Sequence, residues 1–382
     1  MSRPYSFFEK FILPFTIIIS ILAFLAGIAP FVSPSRSWLL AFMGLTFPYI
    51  FLINIFFIAF WILKRRVVLL LPLIPFLIGF RTAAQFISFH GNETALNETS
   101  VGLKVMTFNV RNFDLYNWIA NWLGTARVRE EIFDMIKREN PDVVCFQEFY
   151  TCDSGEFQTI KTMTEEIGMK YYYADLPVFL YKKDHWGMAI FSKYPLTGNG
   201  TIRLNTDQEK GNRQSINLCL HSDILIGKDT FRIYNLHFQS IRFRQEDYKL
   251  MNEGSPRIEE ENLKSIRNII IRLRTAFDKR EKQVERVVEH VRQSPYPVIV
   301  CGDFNDTPSS WSYRMFRKDL NDAFLQSGSG IGTTYTGPFP AFRIDFVFIS
   351  HNLHSEDFRI LKEKRLSDHY PVVCRILKKQ PG

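Results

Sequence analysis

Val298-Ile299-Val300-Cys301-Gly302-Asp303-Phe304-Asn305-Asp306 is the stretch from which the fold can be read. Four apolar residues form a short strand that runs straight into Gly, an acid, an aromatic, an amide and a second acid. Such a strand is a rigid base, and polar residues at its end gain precision from it. Asp303 and Asn305 are two apart, so in an extended segment they point the same way. A carboxylate and an amide held side by side can share one hard cation or orient one water. The plainer reading is a strand ending in a turn. Asp306-Thr307-Pro308 also reads as a helix cap followed by Pro at the first helical position. What favours a site is that the same grammar recurs along the chain.

Leu103–Phe108 reads as a strand delivering Asn109-Val110-Arg111, and Val143–Phe146 as a second delivering Gln147-Glu148. Between them Arg127–Glu139 has helical spacing at Val128, Ile132 and Ile136 and stops at Asn140-Pro141. Gly187–Ser192 and Gln214–Leu220 are further strands separated by a Gly/Asn-rich stretch, and Phe231–Leu236 delivers His237. Ile344–Ile349 begins with Arg343-Ile-Asp345, and Ser367-Asp368-His369 leads into the strand Val372–Ile376. One long helix is expected over roughly Arg257–Arg292. Its apolar positions include Ile258, Leu263, Ile266, Ile270, Leu273, Phe277, Val284, Val287 and Val291, as for a helix lying on a sheet. Its charges read as a solvated face, with a membrane-surface or substrate-facing role as the lesser alternative. Many strands with interspersed helices and no GxGxxG turn predict an α+β domain with layered sheets.

Hydropathy divides the 382 residues. Phe11–Val32 and Trp38–Leu63 carry no charge, and each is long enough to cross a bilayer. Val67–Phe80 is shorter and spans only if its helix continues past Arg81 toward His90. The expected organisation is three transmembrane helices in residues 1–90 (about 11–32, 38–63 and 67–89), a polar tether at 91–102, and a catalytic domain at 103–382. Arg3, Lys10 and the Lys64–Arg66 cluster place the N-terminus and the second loop in the cytoplasm, and the domain after His90 on the extracytoplasmic side. If the third run does not span, that domain is cytoplasmic.

Residues 101–382 hold 40 Lys/Arg against 36 Asp/Glu, so the domain is only mildly basic. That neither demands nor excludes a polyanionic substrate. The five cysteines have no metal-type spacing and imply no disulfide framework. Asn92 and Asn97 are formal glycosylation acceptors in the tether.

The polar residues at strand ends are Asn109, Glu148, His237, Asp303, Asn305, Asp345, Asp368 and His369. Each alone could be a turn residue, a surface acid or a satisfied core group. Together they match what one reaction needs. With Arg111, and in this order, the set resembles the endonuclease/exonuclease/phosphatase superfamily, the pancreatic-deoxyribonuclease-like fold. The resemblance covers Lys104–Leu377. It implies a four-layered α/β sandwich of two packed mixed sheets flanked by helices, and phosphoester hydrolysis with a divalent metal, usually magnesium.

Oxygen ligands without a Cys/His set favour Mg²⁺ or Mn²⁺. Glu148 is the first expected metal ligand, with Asn109 and Asp368 beside it. By the same resemblance His369 and Asp303 handle the attacking water, and Asp345 orients His369. Asn305 and His237 grip phosphate oxygens, with Arg111 as a further substrate contact. The deoxyribonuclease branch has a second acid behind the histidine at the His237 position. Asp184, in a Lys-Lys-Asp-His context, does not match it, so the branch stays open. A nuclease and a lipid- or inositol-phosphate-directed hydrolase are nearly level, since the only dense basic run is Arg242–Arg244 with the long helix. The expected partners are the phosphoester substrate and the bilayer, with no protein partner. The alternative of a different class is an inactive membrane-bound domain that binds a phosphorylated ligand or a protein.

Overall fold

The two charge-free runs form helices in this computed structural model, which describes residues 4–90, 101–116, 125–181, 183–204, 216–241, 260–337 and 342–379. Helix α1 (Phe7–Ile28) starts at a capping box of Ser6 and Glu9, and α2 (Trp38–Lys64) at the Ser37 hydroxyl. Two hydrogen bonds join the helices: Trp61 Nε1 donates to Thr16 Oγ1 (2.9 Å) and Asn54 Nδ2 to Pro72 O (2.8 Å). The third helical stretch, centred on α3 (Leu70–Ala83), runs unbroken over Val67–Phe86. All three are long and apolar enough to cross a membrane. The expected end at residue 89 is corrected: Ile87–Phe89 is a strand, β1, because β-branched Ile87 and aromatic Phe89 flank a buried Ser88. The tether's residues 91–100, with Asn92 and Asn97, lie outside the described residues, as do Arg242–Arg244.

The rest is the expected layered sandwich. One mixed sheet runs β13 (Leu353–Ile360), β14 (Val372–Lys378), β2 (Gly102–Asn109), β3 (Val143–Cys152), β5 (Asp184–Ser192), β4 (Tyr171–Leu180). The other runs β10 (Asn321–Asp322), β12 (Asp345–Ile349), β9 (Val298–Asp303), β8 (Asp229–His237), β7 (Leu218–Ile226), β6 (Leu196–Arg203). Their facing sides form one core, including Val105, Cys145, Leu220, Ile299, Cys301 and Cys374. Helix α4 (Thr125–Glu139) covers the outer face of the first sheet through Val128, Ile132 and Ile136. Helix α5 (Glu260–Arg292) covers the second through Val284, Val287 and Val291. All five cysteines are buried free thiols.

Two expectations need correction. The long helix does not lie on the sheet throughout: Leu273 and Phe277 are buried, but Ile266 and Ile270 are 46% and 39% exposed. The reason is length, because 33 helical residues outrun the strands of nine and six residues that they cover. Asp306 is not the cap of the following helix, α6 (Trp311–Arg317); Ser310 is, accepting from Tyr313 N. Asp306 instead pairs with buried Arg280 at 3.0 Å.

Burial also sets a pH response. His221 and His290 pack with their rings tilted by 39° and centroids 4.8 Å apart between β7 and α5, near Arg232 and Asp223. Burial, reinforced by His290, pushes His221 down to about 4. The unfolded chain therefore takes up a proton near pH 6.5 that the folded chain refuses until about pH 4. Stability is full above pH 6.5 and declines as pH falls toward 4, by roughly 1–2 kcal/mol after allowing for partial exposure. Thermal melts of the full chain in detergent at pH 7.5 and 5 should show the loss, and His221→Leu should reduce it. An unchanged pH dependence in that variant refutes the assignment.

Candidate active site

Strand pairing collects the polar residues. Asp345 opens β12 opposite Asp303 at the end of β9, and His237 ends β8 alongside Asp303. On the other sheet Asn109 ends β2 beside Gln147 of β3. A register shift between Phe146 and Phe149 bulges β3 at that point and turns Glu148 into the site, with φ +49°. Arg111 and Asn305 also have positive φ, +45° and +51°. Non-glycine residues in this region are costly, and strain of this kind gathers at functional sites. Gly302, at φ +134°, precedes Asp303; a Cβ there would fall 2.1 Å from Leu236 O, so only glycine lets β9 approach β8 this closely.

Asp303 lies at the centre. Its Oδ2 accepts from Asn109 Nδ2 (3.1 Å) and Asn305 Nδ2 (3.0 Å), and its Oδ1 from Asn305 N (2.8 Å). Asp303 and Asn305 do converge, but through this turn and not through an extended backbone. The Asn305 amide also donates to Phe238 O (3.0 Å), so it braces the loop as well as facing the site. Two imidazoles approach Asp303 Oδ2: His237 Nε2 at 3.6 Å and His369 Nε2 at 3.7 Å. His369 Nδ1 meets Asp345 Oδ2 at 2.9 Å. Arg343 does not compete for Asp345, since it pairs with Asp322 at 2.7 Å.

Floor and mouth differ. Side chains of Asp303, Asp345, His237 and His369 are almost fully buried, whereas Glu148 is 26% and Asp368 19% exposed. Burial, then the Asp368 charge, raises the Glu148 carboxyl above its ordinary value. Arg111 approaches Asp368 at 3.4 Å, and His237 Nε2 lies 3.7 Å from Glu148. Burial raises Asp303 too. At His369 burial opposes the charged ring, but Asp345 and Asp303 outweigh it and hold the imidazole well above its usual pKa.

Several supporting residues carry no assignment from sequence. Thr334 Oγ1 accepts from the backbone N–H of both Ile344 and Asp345 (3.1 Å each), fixing the start of β12. Ser367 Oγ donates to Asn109 O (2.8 Å), tying the His369 loop to β2. Beneath the site, buried Gln147 donates to Asn235 Oδ1 (2.6 Å) and Thr107 Oγ1 (2.9 Å), bridging the two sheets. Gln147 precedes Glu148 by one residue and Asn235 precedes His237 by two, an amide inside an apolar run being the available signal. Thr334 had none. Asp184 accepts from Tyr150 OH (2.7 Å), so it belongs to its own strand pair and not behind His237.

Known proteins bear on this geometry. The family model described as "Endonuclease/Exonuclease/phosphatase family" matches residues 106–369. The chain belongs to this family. A second model, for a domain of unknown function, matches residues 9–86, within the helical region. Among curated proteins none matches. Similar solved structures include an endonuclease/exonuclease/phosphatase from Beutenbergia cavernae, with 16% identity, TM-score 0.52, and 73% of this chain and 72% of that one covered. A family protein from Bacteroides thetaiotaomicron has 18% identity and TM-score 0.52, covering 74% of this chain and all of its own. One from Bacteroides vulgatus has 17% identity and TM-score 0.51, covering 73% and 100%. At these identities the likeness is one of fold.

Two groups in this family fold could hold a cation. Asp303, Asp345 and His369 each bring a ligand atom within 4.8 Å of the others. However, the short Nδ1–Oδ2 contact commits His369 and Asp345 to each other. Glu148 and Asp368, whose carboxylates repel, offer oxygens at the open mouth, and buried Asn109 lies beside Glu148 with its Oδ1 accepting from Arg111 N (3.1 Å). An all-oxygen set whose charge is only partly balanced by Arg111 and His237 suits a hard divalent ion.

Proposed function

We propose that this protein is a membrane-anchored, divalent-metal-dependent phosphoesterase. The observation that carries the reading is the buried His369–Asp345 pair facing Asp303, with Glu148 and Asp368 at the mouth above it. In this reading Asn109, Glu148 and Asp368 hold Mg²⁺ or Mn²⁺, which supplies charge neutralisation to the phosphate oxygens. Asp345 accepts from His369 Nδ1, keeping the imidazolium oriented with Nε2–H toward the phosphate. Asp303, fixed by three donated hydrogen bonds, accepts the proton of the attacking water. His237 and Arg111 supply N–H donors to the phosphate oxygens, while Asn305, whose amide hydrogens go to Asp303 and Phe238 O, holds Asp303 in place.

The domain division and the sidedness belong to the same proposal. Glu9 and Arg66 pair at one end of the bundle (3.0 Å), while Ser35, in the loop at the other end, bonds Glu281 of the catalytic domain (2.6 and 2.7 Å). With Lys64–Arg66 cytoplasmic, the catalytic domain is extracytoplasmic. A topology reporter fused after Gly382 should read external, and one that reads cytoplasmic at both ends overturns this.

The activity test is hydrolysis of bis(4-nitrophenyl) phosphate by the purified full chain, stripped with EDTA and then given Mg²⁺ or Mn²⁺. Activity is expected only with the ion. Undiminished turnover in EDTA refutes metal dependence, and none under any ion favours the inactive binding domain.

A further inference from the structure

The helical bundle docks on the same edge of the sandwich that carries the site. Antiparallel pairing of Asp303 with Asp345 means that the loop leaving β9 and the loop entering β12 emerge together there. Both touch the bundle. After β9, Ser309 Oγ donates to Gly44 O of α2 (2.8 Å), and a Cβ on Gly44 would come 2.9 Å from Ser309 O, so the backbones nearly touch. Before β12, Phe342 packs edge-on against Tyr49 of α2 at 6.3 Å, and Arg343 donates to Gln85 O (2.8 Å), just beyond α3. Arg314 lies over the Phe31 ring at 4.5 Å, in the loop between α1 and α2.

Two apolar features continue the bundle past its helices. Strand β1 pairs antiparallel with β11 (Ser329–Ile331), and Ile87, Phe89 and Ile331 share one face, being 40%, 89% and 65% exposed. Ile331 stands three residues before Thr334, which holds Asp345. Helix α5 also overshoots. Arg280 is level with the site end of β8, since it donates to Gln239 O and pairs with Asp306. From there Glu260–Lys279 carry it roughly 30 Å beyond. Along this part Ile266, Ile270 and Ile271 are exposed, with Arg267 and Arg274 among them. An apolar stripe flanked by arginines is the composition of a helix lying at an anionic bilayer surface.

We infer that the site works on phosphoester groups carried by lipids of the bilayer that holds the enzyme, and not on dissolved phosphoesters or nucleic acid. The inference rests on the phosphoesterase reading and adds the substrate class. The helices place the site's edge against the headgroup layer, while Ile331, Phe89 and the projecting turns of α5 rest on it. A substrate in the same bilayer is then presented at a high effective concentration, whereas a long duplex has to approach an edge already occupied by membrane and helices.

The test uses the full chain in phosphatidylcholine nanodiscs containing sphingomyelin, phosphatidylglycerol and phosphatidylinositol 4-phosphate. Parallel arms use the short-chain soluble forms of these lipids, plasmid DNA, an RNA oligonucleotide and bis(4-nitrophenyl) phosphate, each with Mg²⁺. At least one disc lipid should be turned over with kcat/KM about 100-fold above its soluble form, and DNA and RNA should be slower still. Equal rates on disc and soluble forms, faster cleavage of DNA or RNA, or no lipid hydrolysis while the chromogenic diester is cleaved, would each overturn the inference and leave the phosphoesterase reading standing. Failure on the chromogenic diester as well counts against both.

Discussion

Glu148→Gln should reduce Mg²⁺-dependent hydrolysis of bis(4-nitrophenyl) phosphate by about 10³-fold, with the melting temperature of the chain unchanged. A metal-bound carboxylate contributes several kcal/mol of charge stabilisation, and each 1.4 kcal/mol is tenfold in rate. The amide keeps the shape of the side chain but loses the charge. Stability should not suffer, because the native carboxylate is held against burial and against Asp368. Relieving that repulsion offsets the weakened contact with Asn109, which is long at 3.4 Å. Calorimetric titration with Mn²⁺ provides a readout apart from activity: affinity should fall by an order of magnitude or more. Wild-type Mn²⁺ binding in the variant would remove Glu148 from the metal set, and full activity would remove it from the site.

Asp345→Asn should lower kcat by about 10²–10⁴-fold with little change in Mn²⁺ affinity. In the proposed mechanism Asp345 is a positioning residue, with its Oδ2 2.9 Å from His369 Nδ1. The asparagine can still accept a hydrogen bond but cannot stabilise the imidazolium. With the Asp345 charge gone, less opposes the burial of His369 and its pKa falls. The alkaline limb of the kcat profile should therefore move to lower pH, which a purely structural role would not produce. His369→Ala should cost a similar factor. The double variant should be little worse than either single one, because residues that act as a unit cannot be removed twice. A double loss equal to the product of the single losses would show that the two act independently.

Residues at the ends of interior strands were legible because apolar strands and polar ends alternate sharply there. Strands β2, β8, β9, β12 and β14 follow apolar runs, and their terminal or neighbouring residues form the candidate site. Strands β4, β6 and β13 were not legible, and all three are sheet edges. An edge strand has a neighbour on one side only and tolerates polar residues and glycine, as in Leu196-Thr-Gly-Asn-Gly-Thr-Ile-Arg203 of β6. The stretch read as a Gly/Asn-rich connection contains that strand.

The site divides in the same way. Asn109, Glu148, His237, Asp303, Asn305, Asp345, Asp368 and His369 could be named from residue type and position, since phosphoester chemistry restricts the groups that serve it. Which of them touch was not readable from the residues themselves, and only the family resemblance put Asp345 behind His369. The commitment of Arg343 to Asp322, which leaves Asp345 to His369, the turn that folds Asn305 back on Asp303, and the bulge that aims Glu148 depend on register between strands far apart in the chain. Three apolar helices were likewise written in the hydropathy of residues 7–86. Their seat against the loops at Ser309 and Phe342 was not, because that contact joins a glycine and single side chains more than two hundred residues away. Local composition determines which segments are apolar and which residues can do chemistry. Only the packed structure decides which distant groups meet, because those contacts form only when strand register and sheet packing bring them together.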